Sequence, residues 1–108
     1  MAILHKLIDA DRHVLIKNFS NLAEIFGMSK RNFARRFKQA TGDIPKDYLQ
    51  RLRIFIARDL LIYSERSVKY IALEVGYQDS SYFGELFKRF HQMTPSQYRK
   101  QFRQQRAI

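Results

Sequence analysis

Ile71-Ala72-Leu73-Glu74-Val75-Gly76-Tyr77-Gln78-Asp79-Ser80-Ser81-Tyr82-Phe83 is the stretch on which the fold turns, because the chain has already spelled a version of it. Ala72-x-x-x-Gly76 repeats Ala23-x-x-x-Gly27 at a distance of 49 residues. Phe83-x-x-x-Phe87-Lys88 repeats Phe33-x-x-x-Phe37-Lys38 at a distance of 50. Pro95-x-x-Tyr98 repeats Pro45-x-x-Tyr48, and Arg103 repeats Arg53, at the same distance. The offset lengthens by one just after the glycines, so the second copy carries one extra turn residue. Matches in one register point to a duplicated unit, and two copies are too few for a solenoid.

Working outward, periodicity and capping residues predict helices. Ile3, Leu4, Leu7, Ile8, Val14 and Leu15 mark a helix over 3–17. Asn21 with Glu24 reads as a capping box opening a short helix that stops at Gly27. Ser29 caps a helix over about 30–40, ending near Gly42. Pro45 suits the first turn of a long helix to about Tyr63. Ser67 opens a short helix ending near Gly76, Asp79 caps one running to about His91, and Thr94-Pro95-Ser96-Gln97 is a capping box for a helix to about Arg103, with 104–108 frayed. The expectation is an all-α fold of seven helices. It is one domain over 1–108: a subdomain over about 1–44, a joining helix over 45–63 and a second subdomain over 64–104. A short helix, a glycine-bearing turn and a second helix in each half is the helix-turn-helix arrangement.

Composition narrows the function. The 108 residues hold 20 Lys+Arg against 10 Asp+Glu, a formal charge of +10, which points to a polyanionic partner. With 45% hydrophobic residues, 9 Phe and 6 Tyr, a packed core is within reach. There is no Cys, which removes disulfide scaffolds, thiolate metal sites and cysteine nucleophiles. The longest apolar runs, 54–57 and 60–63, are far short of the about 20 residues that span a membrane, and the apolar helix faces are needed for the core. His5, His13 and His91 lack metal-ligand spacing, Asp9 and Asp11 point apart on a helix, and no phosphate-cradling glycine loop occurs. The sequence therefore predicts no catalytic residues, no metal site and no cofactor.

The second helix of each half places the chemistry. At 3.6 residues per turn, Phe33, Phe37 and Ala40 share a core-facing stripe, which leaves Arg31, Ala34, Arg35 and Lys38 on the opposite side. Residues 30–38 hold five Lys/Arg, Lys30 among them, and no acid. A solvated face mixes signs, so an unmixed one suggests phosphate contact. Arg31 and Arg35, one turn apart, suit guanine edges in a major groove. In the second copy Phe83, Phe87 and Phe90 form the stripe. Ser81, Gly84, Glu85 and Lys88 face away, flanked by Ser80 and Tyr82. Gly84 permits close backbone approach, and serine hydroxyls with helix N-terminal amides can hold phosphate. Glu85 either accepts from a cytosine amine or repels phosphate and orients Arg89, and the residues leave both open. In the joining helix Leu49, Leu52, Ile56 and Leu60 form an apolar stripe, read as core. Lys88, Arg89, Arg99, Lys100, Arg103 and Arg106 form a basic tail suited to any polyanion.

These residues resemble the DNA-binding domain of the AraC/XylS family of bacterial transcription regulators. The strongest stretch runs from Ile71 through Phe83, then Phe87-Lys88-Arg89-Phe90 and Met93-Thr94-Pro95-Ser96-Gln97-Tyr98-Arg99; Leu22-Ala23, Gly27-Met28-Ser29, Phe37-Lys38 and Ala57-Arg58-x-Leu60-Leu61 fit as well. The resemblance covers about residues 20–103. It implies two helix-turn-helix motifs binding adjacent major-groove segments of double-stranded DNA, often to activate transcription together with RNA polymerase, in the cytoplasm and on the nucleoid of a bacterium. By position it gives Arg31, Ala34 and Arg35 as the base-reading face of the first motif, and Ser80, Ser81, Tyr82, Gly84 and Glu85 in the second. Two positions depart: an Arg is common where Glu85 stands, and a Gly where Gln92 stands. Most members are much longer, with a ligand-sensing or dimerising domain, so such an N-terminal domain is a further expected partner. The alternative reading is a basic module that binds nucleic acid regardless of sequence.

Overall fold

The structure, a computed structural model, describes residues 12–106. Their helices are α1 (Arg12–Asn18), a 3-10 turn (Phe19–Asn21), α2 (Leu22–Ile25), α3 (Lys30–Thr41), α4 (Pro45–Tyr63), α5 (Val68–Glu74), α6 (Ser80–His91) and α7 (Pro95–Arg106). No strand occurs among the described residues. The chain divides into two units, with the division between Leu52 and Arg53 inside α4. The part of the 3–17 expectation that carries Ile3, Leu4, Leu7 and Ile8 lies outside the described residues.

The sequence repeat reappears bond for bond. The Met28 N–H donates to the Ala23 carbonyl at 2.9 Å, and the Tyr77 N–H to that of Ala72 at 2.8 Å. Gly27 and Gly76, at φ +65 and +108, turn the chain between the short helix and the next one. Ser29 caps α3 by accepting from the Asn32 N–H at 3.1 Å. Asp79 caps α6 by accepting from Ser81 and Tyr82 at 2.9 and 3.3 Å. At the far ends Gly42 and Gln92 both adopt the left-handed conformation, donating to the carbonyls of Lys38 and Lys88 at 2.8 and 2.7 Å.

Each unit closes on the same aromatic contact. In the first, Tyr48 meets Phe37 edge to face, with centroids 5.1 Å apart and planes at 81°. In the second, Tyr98 meets Phe87 at 5.3 Å and 83°. Phe37, Phe83 and Phe87 are fully buried and Phe33 nearly so. Burying side chains of this size is worth about 1.5–3 kcal/mol each, with edge-to-face contact adding about 0.5–1.5. These terms seat α3 and α6 by one side.

Several expectations are corrected. Asn21 makes no side-chain cap: the chain enters α2 directly from the 3-10 turn, which already orders that end. Phe90 is 37% exposed, while Leu86 is buried. The place beside Phe87 and Tyr98 is filled by the His91 ring, at centroid distances of 4.6 and 5.2 Å. In α4, Leu49 and Leu60 are only half-buried. Leu52 serves the first unit, and the second uses Ile54, Ile56, Ala57 and Leu61, so one stripe cannot describe a helix that belongs to two units. The last helix continues to Arg106.

Two of the basic tail residues are structural. The Arg99 guanidinium donates to the carbonyls of Leu61, Ser64 and Arg66 at 3.0, 3.3 and 2.6 Å. Arg103 donates to the Ser64 carbonyl and, at 3.1 Å, to the Glu65 carboxylate. A helix leaves its last carbonyls without intrahelical partners, and cations there also meet the negative end of the helix dipole. Arg99 and Arg103 thereby complete the end of α4.

Gln92 is a non-glycine residue at φ +58, and a left-handed residue with a Cβ carries strain of about 1 kcal/mol. Gln92→Gly is therefore expected to stabilise the chain by about 0.5–1 kcal/mol in urea unfolding, whereas Gly42→Ala at φ +85 destabilises by a similar amount. Burial first, and then the Arg58 cation, hold His91 below its ordinary 6.5. The unfolded chain thus binds this proton at higher pH than the folded one. The stability held by the neutral ring is complete above 6.5 and is lost as pH falls below it. The urea midpoint is expected to drop between about pH 7 and 5, less steeply in His91→Gln.

Candidate nucleic-acid interface

Twelve-residue α3 begins at its Ser29 cap and buries Phe33 and Phe37. That commits one side and leaves Lys30, Arg31, Arg35 and Lys38 exposed. None of these four is ion-paired to an acid among the described residues. Ala34 is half-buried, because it also borders an apolar recess formed with Phe19, Ala23, Phe33, Ile44 and Pro45. Arg31, Ala34, Arg35 and Lys38 therefore form one continuous strip at positions i, i+3, i+4 and i+7.

The pattern did not single out Asn32, which has a part here. The Arg35 Nη2 donates to Asn32 Oδ1 at 2.9 Å. Ser29, Arg31, Asn32 and Arg35 line a shallow recess of about 300 Å³ at the start of α3. The i, i+3 spacing was the available signal: an amide one turn before an arginine can fix its fork and reduce the side-chain entropy lost on binding.

In α6 the buried side is Phe83, Leu86 and Phe87. Ser81, Tyr82, Glu85 and Lys88 are exposed, with Ser80 and Gly84 intermediate. Gly84 is helical, and a Cβ built on it meets nothing within 4 Å, so the fold itself does not require glycine there. Tyr82 is 47% exposed, with its ring 5.9 Å from that of Tyr77. No hydrogen bond or ion pair joins Glu85 to Arg89 among the described residues, which leaves the acid pointing to solvent unpartnered. The first-turn amides of Ser81 and Tyr82 are already taken by the Asp79 carboxylate. What this turn presents is hydroxyls rather than free N–H groups.

The two strips are thus chemically unlike. One is cationic and arginine-rich. The other is built of small hydroxyl, aromatic and glycine positions with a single acid, and ends on Lys88. Both are helical faces about four residues long in each turn's register, the shape that enters a major groove.

Comparison with known proteins agrees with this geometry. A helix-turn-helix domain family model matches residues 22–101. An uncharacterized HTH-type transcriptional regulator of Haemophilus influenzae is 46% identical over 83 residues, 77% of this chain and 28% of that protein. The HTH-type transcriptional activator RhaS of Escherichia coli O139:H28 is 43% identical over 83 residues, 77% of this chain and 30% of that protein. The chain spans under a third of the length of these relatives. Among solved structures, the DNA-binding domain of the global transcriptional factor AdpA, in complex with a target DNA, superposes with a TM-score of 0.76 at 33% identity, covering 82% of this chain and 79% of that one. An AraC-type regulator from Chromobacterium violaceum gives 0.70 at 31% identity, over 78% and 75%. With two turn-linked helix pairs and a family match over three-quarters of its length, the chain belongs to the AraC/XylS family of helix-turn-helix DNA-binding domains.

Proposed function

We propose that the chain is a sequence-specific double-stranded DNA-binding module of a bacterial transcriptional regulator. The observation that carries this reading is the strip Arg31, Ala34, Arg35 and Lys38, held outward by buried Phe33 and Phe37 and free of acidic partners among the described residues. Arg31 and Arg35 read base edges, with Asn32 steadying Arg35. Lys30, Lys38 and Lys88 contact phosphates. Ser80, Ser81, Tyr82 and Gly84 form the closer-fitting face of the second motif. Glu85 is kept off phosphate by its charge and is matched to a cytosine amine. Activation follows from the likeness to a relative named as an activator. RNA polymerase is then a partner, as is a further domain of the kind that makes the relatives longer, and the work is done on the nucleoid in the cytoplasm. The chain is not an enzyme in this reading.

Selection from a random duplex library tests it. A selected duplex is expected to outcompete random DNA by about a thousandfold or more at physiological salt. A ratio near one means a sequence-indifferent binder instead. On the selected duplex, Arg35→Ala is expected to lose about 1–3 kcal/mol and to relax preference at one base pair. Lys88→Ala is expected to weaken all sequences alike and to flatten the salt dependence by about one unit of slope. Gly84→Ala separates fold from function: thermal unfolding is expected to show a gain of about 1 kcal/mol while binding to the selected duplex falls. Unchanged binding would show that nothing approaches Gly84 closely.

A further inference from the structure

We propose that Arg53, from the joining helix, is the positioning residue of the second motif, fixing through Gly76 and Tyr77 where α6 presents Tyr82 to DNA. The proposal rests on the DNA-binding reading above and assigns a role that no base or phosphate contact would reveal.

The geometry is a stack. The Arg53 guanidinium lies flat on Gly76: a Cβ there would come within 3.0 Å of Cζ and 3.1 Å of Nε and Nη2. Gly76 is thus glycine for two reasons, its φ of +108 and this contact. The Arg53 Cζ also stands 5.1 Å from the centroid of the Tyr77 ring, in cation–π range. Tyr77 in turn touches both sides of the first turn of α6, with its ring 5.9 Å from exposed Tyr82 and 5.9 Å from buried Phe83. Burial raises the Tyr77 phenol, and the Arg53 cation beside it works the other way.

Arg53 is an uneconomical way to fill space. Its Nε is buried with no hydrogen-bond partner, a state that carries a desolvation cost an aliphatic side chain would avoid. The plane and the charge are what an aliphatic chain lacks. At the corresponding first turn, a Cβ on Gly27 meets nothing within 4 Å among the described residues. Arg103, the repeat mate of Arg53, also has an unpartnered buried Nε but gives the rest of its guanidinium to Ser64 and Glu65. The second turn is also the one with the extra residue, and added turn length adds conformational freedom that must be removed before binding. Arg53 removes it. The second motif is preorganised by a clamp that no described residue supplies to the first.

The test uses the full chain and the selected duplex, with each half-site scrambled separately. The second half-site is the one whose protection is lost in Gly84→Glu. Arg53→Met is expected to weaken binding to the intact duplex about tenfold. It should erase the penalty for scrambling the second half-site while leaving that for the first. Arg53→Lys, which keeps a cation over Tyr77, should restore part of the loss. The Tyr77 and Tyr82 ring resonances should shift together in the NMR spectrum of Arg53→Met. If that variant fails to fold, Tyr77→Leu removes the middle of the stack and should give the same split. Equal weakening at both half-sites, in step with a lowered melting temperature, would reduce Arg53 to a stabiliser and overturn the proposal, as would an unchanged penalty at the second. A wild-type chain indifferent to scrambling either half-site is a different failure, that of the DNA-reading proposal itself.

Discussion

Everything the exposed helix faces do depends on an edge-to-face contact made twice: Tyr48 on Phe37 and Tyr98 on Phe87. Each joins a helix that carries an exposed strip to the helix that follows it. Because the phenylalanines at i and i+4 are buried, rotation of α3 or α6 about its axis would expose a ring of 150–250 Å². That cost, about 1.5–3 kcal/mol for each ring, is a large fraction of a small domain's margin of stability. The outward residues are therefore assigned by the inward ones. A cationic strip on one helix and a hydroxyl strip on the other take their outward places from that packing, with Asn32 bonded to Arg35 and Tyr77 beside Tyr82 as local additions.

The same skeleton carries unlike chemistry on its two copies. The turn and helix-end hydrogen bonds agree to within about 0.1 Å, and the ring contacts to within 0.2 Å and 2°. The caps, the outward residues and, among the described residues, the contacts made at the turn glycine do not. Duplication kept what packs, and the surface diverged. Such a division lets two parts of one module recognise different things while folding by one rule.

Short-range signals were the most legible, the Asn21 capping box excepted. Caps at Ser29, Ser67, Asp79 and Thr94 act over two or three residues, and all four form as read. The Phe33/Phe37 and Phe83/Phe87 pairs act over one turn and are buried as read. What escaped was decided by distant neighbours. Arg99 and Arg103 look like any basic tail until the carbonyls of residues 61–66, more than thirty positions earlier, come beside them. Phe90 and His91 compete for one seat, and only the approach of Tyr98 shows that the imidazole takes it. The buried line Ile54, Ala57 and Leu61 was hidden because the division between the two units falls inside α4, and the set of buried residues changes there. Which residues of α3 and α6 face outward was readable from periodicity and the Asn32–Arg35 pair from its spacing, whereas the contacts of Arg53 with Gly76 and Tyr77 needed coordinates.

The choice of cap sets how a polyanion can come near each helix. Ser29 is neutral and sits just before Lys30 and Arg31, so the positive end of α3 stays open to a phosphate arriving along the axis. Asp79 plugs the matching end of α6 with a negative charge and occupies two of its amides. The start of α3 thus keeps its positive end, whereas that of α6 is neutralised and its outward chemistry lies along the flank, at Ser81, Gly84 and Lys88.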